Sequence, residues 1–252
     1  MQTKVKTKSE IAAMRESGKM LATVLQYLKR ELQPGMSTKQ LADMAAAELQ
    51  SLGGQPSFLG YQGFPDVICI SVNDEVVHGI PRTDKIIAAG DIVGLDFGVT
   101  YHKMVTDGAI SVIAGGKPLK PQHEKLVQQT ERSMMAGIGA VHDGVRTGDI
   151  GAAVQAVLDK GRYGIVRDLV GHGVGHALHE DPNIPNYGRP NTGPWLQAGM
   201  TIAIEPMATL GTDNVFVAED DWTILTQDGS WAAHFEHTVL ITKDSFEIIT
   251  TV

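Results

Sequence analysis

The sequence predicts a mixed α/β (α+β) fold in which two similar lobes share a central antiparallel sheet. Residues 9–115 and residues 116–252 each contain two helical patterns followed by strand patterns. Residues 32–96 and 141–205 of the two halves align without gaps at an offset of 109 residues, which is the separation of Gly35 from Gly144, and an insertion follows in the second half before Glu236. Because a duplicated unit repeats its elements in order, we expect one domain, residues 1–252, whose lobes are related by a pseudo-twofold axis.

Two amphipathic helices open the first half. Ser9 is the expected N-cap of the first helix, in which apolar residues recur at helical spacing until Pro34 ends the pattern. The second helix is expected to begin at Ser37 or Thr38 and to end at Gly53, a residue type typical of helix C-termini.

Strand patterns follow these helices. Residues 67–72 and 75–78 are rich in strand-forming residues, and residues 91–108 are expected to form an antiparallel hairpin. Each arm of the hairpin carries an acid, Asp96 and Asp107, at a spacing that brings their side chains to one place. Since two facing carboxylates repel each other, the pair needs a proton or a cation between them.

The second half repeats this arrangement. Helices are expected over residues 121–141 and 147–160, and the offset of 109 residues places Glu205 at the position equivalent to Asp96. The hairpin partner of Glu205 is expected to be Glu236. Two related hairpins therefore supply four acids to a cleft shared by the lobes.

The charge of these acids predicts what the cleft binds. Four carboxylates are balanced by two divalent cations about 3.5–4 Å apart, with a bridging water or hydroxide as nucleophile. His172 lies in a glycine-rich segment that permits close backbone approach, and it is the candidate fifth ligand. Oxygen ligands with one imidazole and no thiolate favour Mn, Fe or Co over a structural cysteine-type zinc site.

Composition bears on the partners and the compartment. The net charge is −8 and the sequence has no basic stripe, so no nucleic-acid partner is expected. No apolar run has the length of a membrane span and the N-terminus lacks an apolar signal core, so no membrane partner is expected. The single cysteine, Cys69, is typical of a reducing compartment, and we expect a cytoplasmic protein. His102, His123 and His142 are expected at the surface.

The ligand candidates and their surroundings resemble those of bacterial type I methionine aminopeptidases. The likeness extends over residues 9–242 and rests on the five ligand candidates and on four motifs, at residues 72–81, 171–180, 204–207 and 236–238. The resemblance implies the two-lobed pita-bread architecture, which agrees with the internal repeat. It also implies removal of the N-terminal methionine from proteins and peptides, preferentially when the second residue is small.

The resemblance further implies a role for each ligand. In the family, the acid at Asp96 chelates one metal ion, whereas the acids at Asp107 and Glu236 bridge both ions. His172 and Glu205 complete the coordination of the other ion. The sequence therefore predicts a dinuclear centre that needs two divalent ions such as Mn, Fe or Co.

Two histidines and one acid are predicted to act on the scissile bond. By the resemblance, His78 lies near the amide nitrogen and His179 near the carbonyl oxygen. Glu205 or His78 is placed to relay a proton to the leaving nitrogen. The expected partners are the N-terminal ends of nascent proteins and peptides, and we predict a monomer that makes a transient contact with the ribosome.

The resemblance also places the substrate side chain in a narrow apolar pocket, which suits an unbranched thioether. Three residues depart from the usual bacterial pattern: Phe58 replaces a frequent Cys, Phe64 a frequent Tyr and Leu178 a frequent Phe. His176 replaces a frequent Arg. We expect these exchanges to reshape the pocket, whose lining residues are Phe58, Tyr61, Phe64, Cys69, His78, Leu178 and Trp222.

Two other functions fit parts of the sequence. A proline-specific relative on the same fold would cleave Xaa-Pro bonds, but such enzymes usually carry an additional N-terminal domain. A non-catalytic peptide-binding protein on this scaffold is expected to have lost metal ligands, whereas all five positions are filled here. Taken singly, an acid such as Asp96 is more often a hydrogen-bonded strand residue, and Cys69 or Trp222 more often belongs to the core. The prediction depends on their joint occurrence.

Overall fold

The computed structural model describes residues 3–252, which form four α-helices and fifteen β-strands. Helices α1 to α4 span Lys8–Glu31, Thr38–Leu52, Pro121–Gly139 and Thr147–Gly161. Short 3₁₀ turns occur at Tyr61–Gly63 and Ala114–Gly116. Strands β1 to β15 span Gln55–Pro56, Cys69–Val72, Glu75–Val77, Ile92–Tyr101, Met104–Ile113, Gly164–Ile165, Gly171–Gly173, Glu180–Ile184, Thr201–Ile204, Met207–Thr209, Val215–Val217, Ile224–Thr226, Ala232–His234, Glu236–Ile241 and Phe246–Ile248.

The helix ends follow local capping rules. Thr7, and not the predicted Ser9, is the N-cap of α1: its Oγ1 accepts from the Glu10 N–H at 3.3 Å, and the Glu10 carboxylate accepts from the Thr7 N–H at 2.7 Å. Only Thr7 has a glutamate three residues later, which completes this reciprocal capping box. Ser37 caps α2 as predicted, and Gly53 ends it with a φ of +82°.

A nine-stranded antiparallel sheet runs through the centre of the molecule. Its order is β1-β4-β5-β14-β9-β7-β8, with β2 also paired to β4 and β15 to β14. The predicted hairpin of the first half is β4 with β5, and its equivalent in the second half is β9 with β14. The two hairpins meet where β5 pairs with β14. The predicted antiparallel sheet built from both halves is therefore confirmed, and β13-β10-β6 and β11-β12-β3 form two smaller sheets.

Backbone hydrogen bonds repeat between the halves at the predicted offset. The Gly35 N–H donates to Ile87 O at 2.8 Å, and the Gly144 N–H donates to Leu196 O at 2.9 Å. Both glycines have a positive φ, +95° and +81°, which other residues rarely adopt. The duplicated architecture is confirmed, whereas the boundary between the halves near residue 115 stays a prediction. Equivalent backbone bridges join Ser37 to Ile86 and Arg146 to Trp195.

Helices cover one face of the sheet and leave the other face to the cleft. In β4, Leu95 and Phe97 are buried in a core with Leu28 of α1 and Leu41 of α2. Asp96 lies between them along the strand, so its side chain points to the opposite face. A shift of the strand by one residue would bury Asp96 under the helices, so the apolar core fixes the register that exposes the acid to the cleft.

The second half is built in the same way. Residues of α3 and α4 pack against β9 and β14 in a separate core that includes Ile138, Val154, Ile202 and Val239. In the described part of the chain, the helices are too short or too polar to cross a membrane.

His123 is buried, contrary to the predicted surface location. It lies on α3 with 4% of its surface exposed, and its ring centroid is 3.9 Å from that of Trp231. Helical spacing does not reveal a stacking partner so distant in the sequence. His102 and His142 are exposed as predicted.

Candidate metal centre

Five consecutive strands of the central sheet bring the five predicted metal ligands to the open face. Glu205 directly follows the last residue of β9, and the other four residues lie within strands. Because these strands are neighbours in the sheet, residues from both halves of the chain converge on one cleft. In the sheet order β4, β5, β14, β9, β7, the ligands are Asp96, Asp107, Glu236, Glu205 and His172.

Strand register sets the spacing of the acids. Asp96 is opposite Ala109 on β5, and Ala109 is opposite Glu236 on β14, so the three residues form one row across the sheet. Asp107 is opposite Gly98, two residues along β4 from Asp96. Diagonal neighbours on one face of an antiparallel pair lie within reach of each other. Ala109, a small residue, is the member of this row that lies between Asp96 and Glu236.

Two groups of ligand atoms share Glu236. Atoms of Asp107, His172 and Glu236 all lie within 4.8 Å of one another, and so do atoms of Glu205, His234 and Glu236. Glu205 joins the two groups: its Oε1 is 3.3 Å from His172 Nε2, and its Oε2 is 3.9 Å from His234 Nε2. The structure therefore brings four of the predicted ligands into direct contact range, together with a histidine that was not predicted.

Hydrogen bonds orient two of these ligands. His172 Nδ1 lies 2.9 Å from the Gly173 carbonyl oxygen, and since a carbonyl only accepts, Nδ1 carries the proton and Nε2 presents its lone pair to the cleft. Thr238 Oγ1 accepts from the Asp107 N–H at 2.9 Å and donates to Asp107 O at 2.8 Å. Contacts of this kind hold metal ligands in position.

The four acids resist ionisation, since Asp107 and Glu236 are buried and Asp96 and Glu205 are largely enclosed. Burial raises the pKa of Asp96 to about 7. Burial, reinforced by the charges of neighbouring acids, raises the pKa values of Asp107, Glu205 and Glu236 well above their ordinary range. Burial also lowers the pKa of His172 to about 3, so this imidazole is neutral at neutral pH and can act as a ligand.

This donor set fits divalent metal ions. Within residues 3–252, the buried atoms without a hydrogen-bond partner include Asp96 Oδ1, Glu236 Oε1 and His234 Nε2. Buried polar atoms are nearly always paired, so these three need a partner that the protein does not provide. A divalent cation would satisfy them and remove the repulsion among the acids. Carboxylates with imidazole suit ions such as Mn, Fe and Co.

An apolar pocket opens directly onto the ligands. A cavity of ≈160 Å³ is lined by all seven predicted pocket residues, all five predicted ligands and His179, with Gln62 as an additional residue. Phe58 and Phe64 meet edge to face with centroids 6.5 Å apart, and Phe64 lies 5.1 Å from Trp222. Cys69 connects pocket and ligands because it is opposite Asp96 in the β2–β4 pairing.

The thiol of Cys69 stays protonated in this position. Burial, and then the charge of Asp96, raises the pKa of Cys69 well above its ordinary value. A protonated thiol is a small apolar group and a poor metal ligand. Cys69 therefore belongs to the pocket wall.

Two histidines lie where the pocket meets the ligands. His78 has a φ of +59°, a conformation that is uncommon outside glycine and that concentrates at functional sites. Burial, and then the nearby His179, lowers the pKa of His78 to about 4. His179 Nδ1 lies 2.8 Å from the Tyr61 hydroxyl, and its ring centroid is 4.3 Å from that of His172. A second cavity of ≈280 Å³ shares His78, His179 and Glu205 with the pocket and is also lined by Leu169, Asn183 and Met207.

His234 is the site residue that the sequence pattern did not identify. It ends β13, two residues before Glu236, and 3% of its surface is exposed. Alternation along an extended chain places residues two apart on one side, and that signal could have identified it. Burial, and then His78, lowers the pKa of His234 to about 3.

The chain is similar in sequence to one family of metallopeptidases and similar in structure to proteins of one fold. The model of metallopeptidase family M24 matches residues 12–243. Methionine aminopeptidase 1 of Bacillus subtilis is 42% identical over 247 residues, which cover 98% of each chain. The crystal structure of methionine aminopeptidase from Thermotoga maritima superposes with a TM-score of 0.97 and 41% identity over the whole of both chains. Prolidase from Pyrococcus furiosus shares the fold, with a TM-score of 0.78 and 22% identity over 98% of this chain and 65% of its own.

Proposed function

The chain belongs to metallopeptidase family M24, and on that premise we propose that its site removes the N-terminal methionine from proteins and peptides. Cleavage is preferred when the second residue is small. The single observation that carries this proposal is the union of the apolar pocket and the ligand cluster in one cavity. A first side chain held in the pocket brings its own amide bond next to the ligands, which is the positioning that hydrolysis requires.

Two divalent ions of the Mn, Fe or Co type are part of the proposal. When bound, such ions polarise the scissile carbonyl and lower the pKa of water to supply a nucleophile at neutral pH. Asp107, His172, Glu205 and Glu236 would hold one ion, and Asp96 would complete the site of the other with the shared acids. The unpaired buried oxygens of Asp96 and Glu236 support this assignment.

The remaining groups act on the substrate. His179 is held by the Tyr61 hydroxyl at 2.8 Å. When Tyr61 donates to Nδ1, His179 Nε2–H is free to donate to the scissile carbonyl oxygen. His78 is neutral at pH 7, because its pKa is lowered to about 4, so it can accept a hydrogen bond from the scissile amide N–H. As a relay it would take up the proton that the attacking water loses and pass it to the leaving nitrogen. Glu205 is the alternative proton relay.

The two cavities account for the selection of chain ends. Phe58, Phe64 and Trp222 form the wall of the apolar pocket, whose volume of ≈160 Å³ suits a single side chain. The larger cavity shares His78 and His179 with the pocket and would accommodate the rest of the peptide. The free amino group then lies beside the acids, and it binds a metal ion only when neutral. This arrangement favours an aminopeptidase over an endopeptidase.

We also propose an oligomeric state and a cellular location for the reaction. All the predicted ligands and pocket residues line one cavity of a single chain, and we propose that the protein acts as a monomer. New N-terminal methionines arise where proteins are synthesised, and we place the reaction on nascent chains in the cytoplasm. The transient ribosome contact stays a prediction.

Reconstitution with metal tests the proposed function. Metal-free protein is expected to regain cleavage of a Met-Ala-Ser peptide when Mn(II), Co(II) or Fe(II) is added, because each ion suits the donor set. Release of free methionine is measured against Met-Pro-Ser and Ala-Pro-Ser peptides. Cleavage of Ala-Pro-Ser alone would assign the site to Xaa-Pro bonds, and no turnover with any ion, alongside tight peptide binding, would leave a binding protein.

Phe58 is expected to set the size of the pocket. Gly98 makes room for it, since a Cβ at Gly98 would lie 2.6 Å from Phe58 Cε1. Phe58→Cys enlarges the pocket, and we expect kcat/KM for Met-Ala-Ser to fall by about 10-fold, at the lower end of the 10–200-fold effect of a mismatched apolar pocket. The ratio of Phe-Ala-Ser to Met-Ala-Ser cleavage should rise.

The matched control for this change is Phe216→Cys. Phe216 lies on β11 with half of its surface exposed, outside the cavity of the site. In this variant we expect no change in kcat/KM for Met-Ala-Ser or in the ratio of Phe-Ala-Ser to Met-Ala-Ser cleavage. If Phe58→Cys also left both unchanged, Phe58 would have no part in substrate selection.

A further inference from the structure

His234 is not one of the five predicted ligands, but its imidazole lies among them. Its Nε2 is 3.9 Å from Glu205 Oε2 and 3.9 Å from Glu236 Oε2. The residue is 3% exposed, and in the part of the chain that the structure describes Nε2 has no hydrogen-bond partner. The backbone is fixed, because the His234 N–H donates to Ser111 Oγ at 2.9 Å and the Ser111 hydroxyl donates to His234 O at 2.9 Å.

Neither form of a free imidazole suits this position. A lone pair on Nε2 that faces two carboxylates is repelled by them, and a proton on Nε2 is too far from either oxygen at 3.9 Å to form a hydrogen bond. A cation between the three atoms satisfies all of them. Two ligands bound tetrahedrally at about 2.1 Å to one ion are about 3.4 Å apart, so a small contraction of the observed spacing is enough.

We propose that His234 is a metal ligand, whose Nε2 binds the ion shared by Glu205 and Glu236 and gives that ion a second imidazole beside His172. This inference rests on the proposed metal-dependent function and adds a sixth protein ligand to the centre. Imidazole suits Fe, Co, Ni and Zn better than Mn, which prefers oxygen ligands. A second imidazole therefore shifts the metal preference of this chain towards the former group.

His234 could bind the ion directly or could only support a carboxylate that binds it, and these two roles predict different coordination shells. Residues that only orient a ligand already contribute about 10–100-fold to metal affinity, so affinity alone does not separate the two roles. The number of imidazoles bound to the ion does, because a supporting histidine does not appear in the coordination shell.

X-ray absorption of protein loaded with one equivalent of Co(II) tests the proposal. We expect two imidazoles per ion in the wild type, and one in His234→Gln and in His172→Gln. Titration calorimetry should show that His234→Gln loses at least about 10-fold in Co(II) affinity and less in Mn(II) affinity. His123→Gln is the matched control, since it removes a buried imidazole outside the cluster, and it should keep both imidazoles and both affinities.

A count of one imidazole in the wild type would overturn the proposal, and this measurement needs no variant to fold. An unchanged count in a folded His234→Gln would overturn it as well. The proposed function is tested separately. A centre with two imidazoles that does not cleave Met-Ala-Ser would support the ligand role of His234 and reject the peptidase reaction. A centre with one imidazole that cleaves this peptide would support the peptidase reaction and reject the ligand role.

Discussion

Asp107→Asn and Glu236→Gln are each expected to abolish metal-dependent cleavage of Met-Ala-Ser. Both acids lie on the adjacent strands β5 and β14, in the middle of the ligand set, where a neutral amide of the same shape would bind the proposed ions far more weakly than a carboxylate. A bound metal supplies several kcal/mol of transition-state stabilisation. Since about 1.4 kcal/mol corresponds to a tenfold change in rate, we expect kcat/KM to fall by at least about 10³-fold. Steady-state kinetics at saturating Mn(II) measures the loss.

The same variants should separate catalysis from folding. In metal-free protein, Asp107→Asn removes one of four mutually repelling acids, so its Tm is expected to equal or exceed that of the wild type. The rise in Tm on adding Mn(II) should be strongly reduced, because ligand binding stabilises only as far as affinity allows. Glu131→Gln, at an exposed position of α3, is the matched control and should keep both activity and the metal-induced rise. Wild-type rates from either site variant would refute a dinuclear centre that these acids bridge.

Much of the fold could be predicted because the sequence contains it twice. The equivalence of Asp96 and Glu205 depends on an offset that also aligns Gly35 with Gly144, and the observed backbone bonds follow the same offset. Strand alternation then placed the acids on one face, since Leu95 and Phe97 had to face the helices. The internal repeat and the alternation along the strands are periodic features, and periodic patterns can be recognised in a sequence.

Features that depend on distant partners were missed. His123 stacks on Trp231 through a contact that no local pattern encodes. Alternation places His234 on the same side of the chain as Glu236, but its approach to Glu205 is a contact between distant parts of the sequence. His234 also ends a strand of a smaller sheet, so its place beside the central sheet depends on how the chain crosses between sheets. The capping error at Ser9 was different, because the glutamate that identifies Thr7 as the cap was present in the sequence.

The metal-free protein is expected to lose stability as the pH rises through about 7, the pKa to which burial raises the Asp96 carboxyl. Burial and mutual repulsion raise the pKa values of Asp107, Glu205 and Glu236 well above those in the unfolded chain. The folded state therefore keeps protons that the unfolded chain has released, and stability falls with rising pH until those protons are lost. Each retained proton contributes about 1.4 kcal/mol per pH unit.

In this pH range the acids change the stability of the fold, whereas the buried histidines do not. Burial lowers the pKa of His172 to about 3 and that of His78 to about 4, so these groups change stability mainly below their unfolded value near 6.5. Thermal unfolding in the presence of a chelator should show a decrease of about 3–5 °C per pH unit for each retained proton. A flat or rising profile would mean that the acids are already ionised in the metal-free fold.

Metal loading should remove this pH dependence. A bound ion displaces the protons, so binding releases protons and weakens as the pH falls. Calorimetric titration with Mn(II) in buffers of different ionisation enthalpy measures the number released, which should decrease in Asp107→Asn. The buried acids are therefore expected to destabilise the empty fold at neutral pH, and the proposed ions would offset that cost by joining ligands from both halves of the chain.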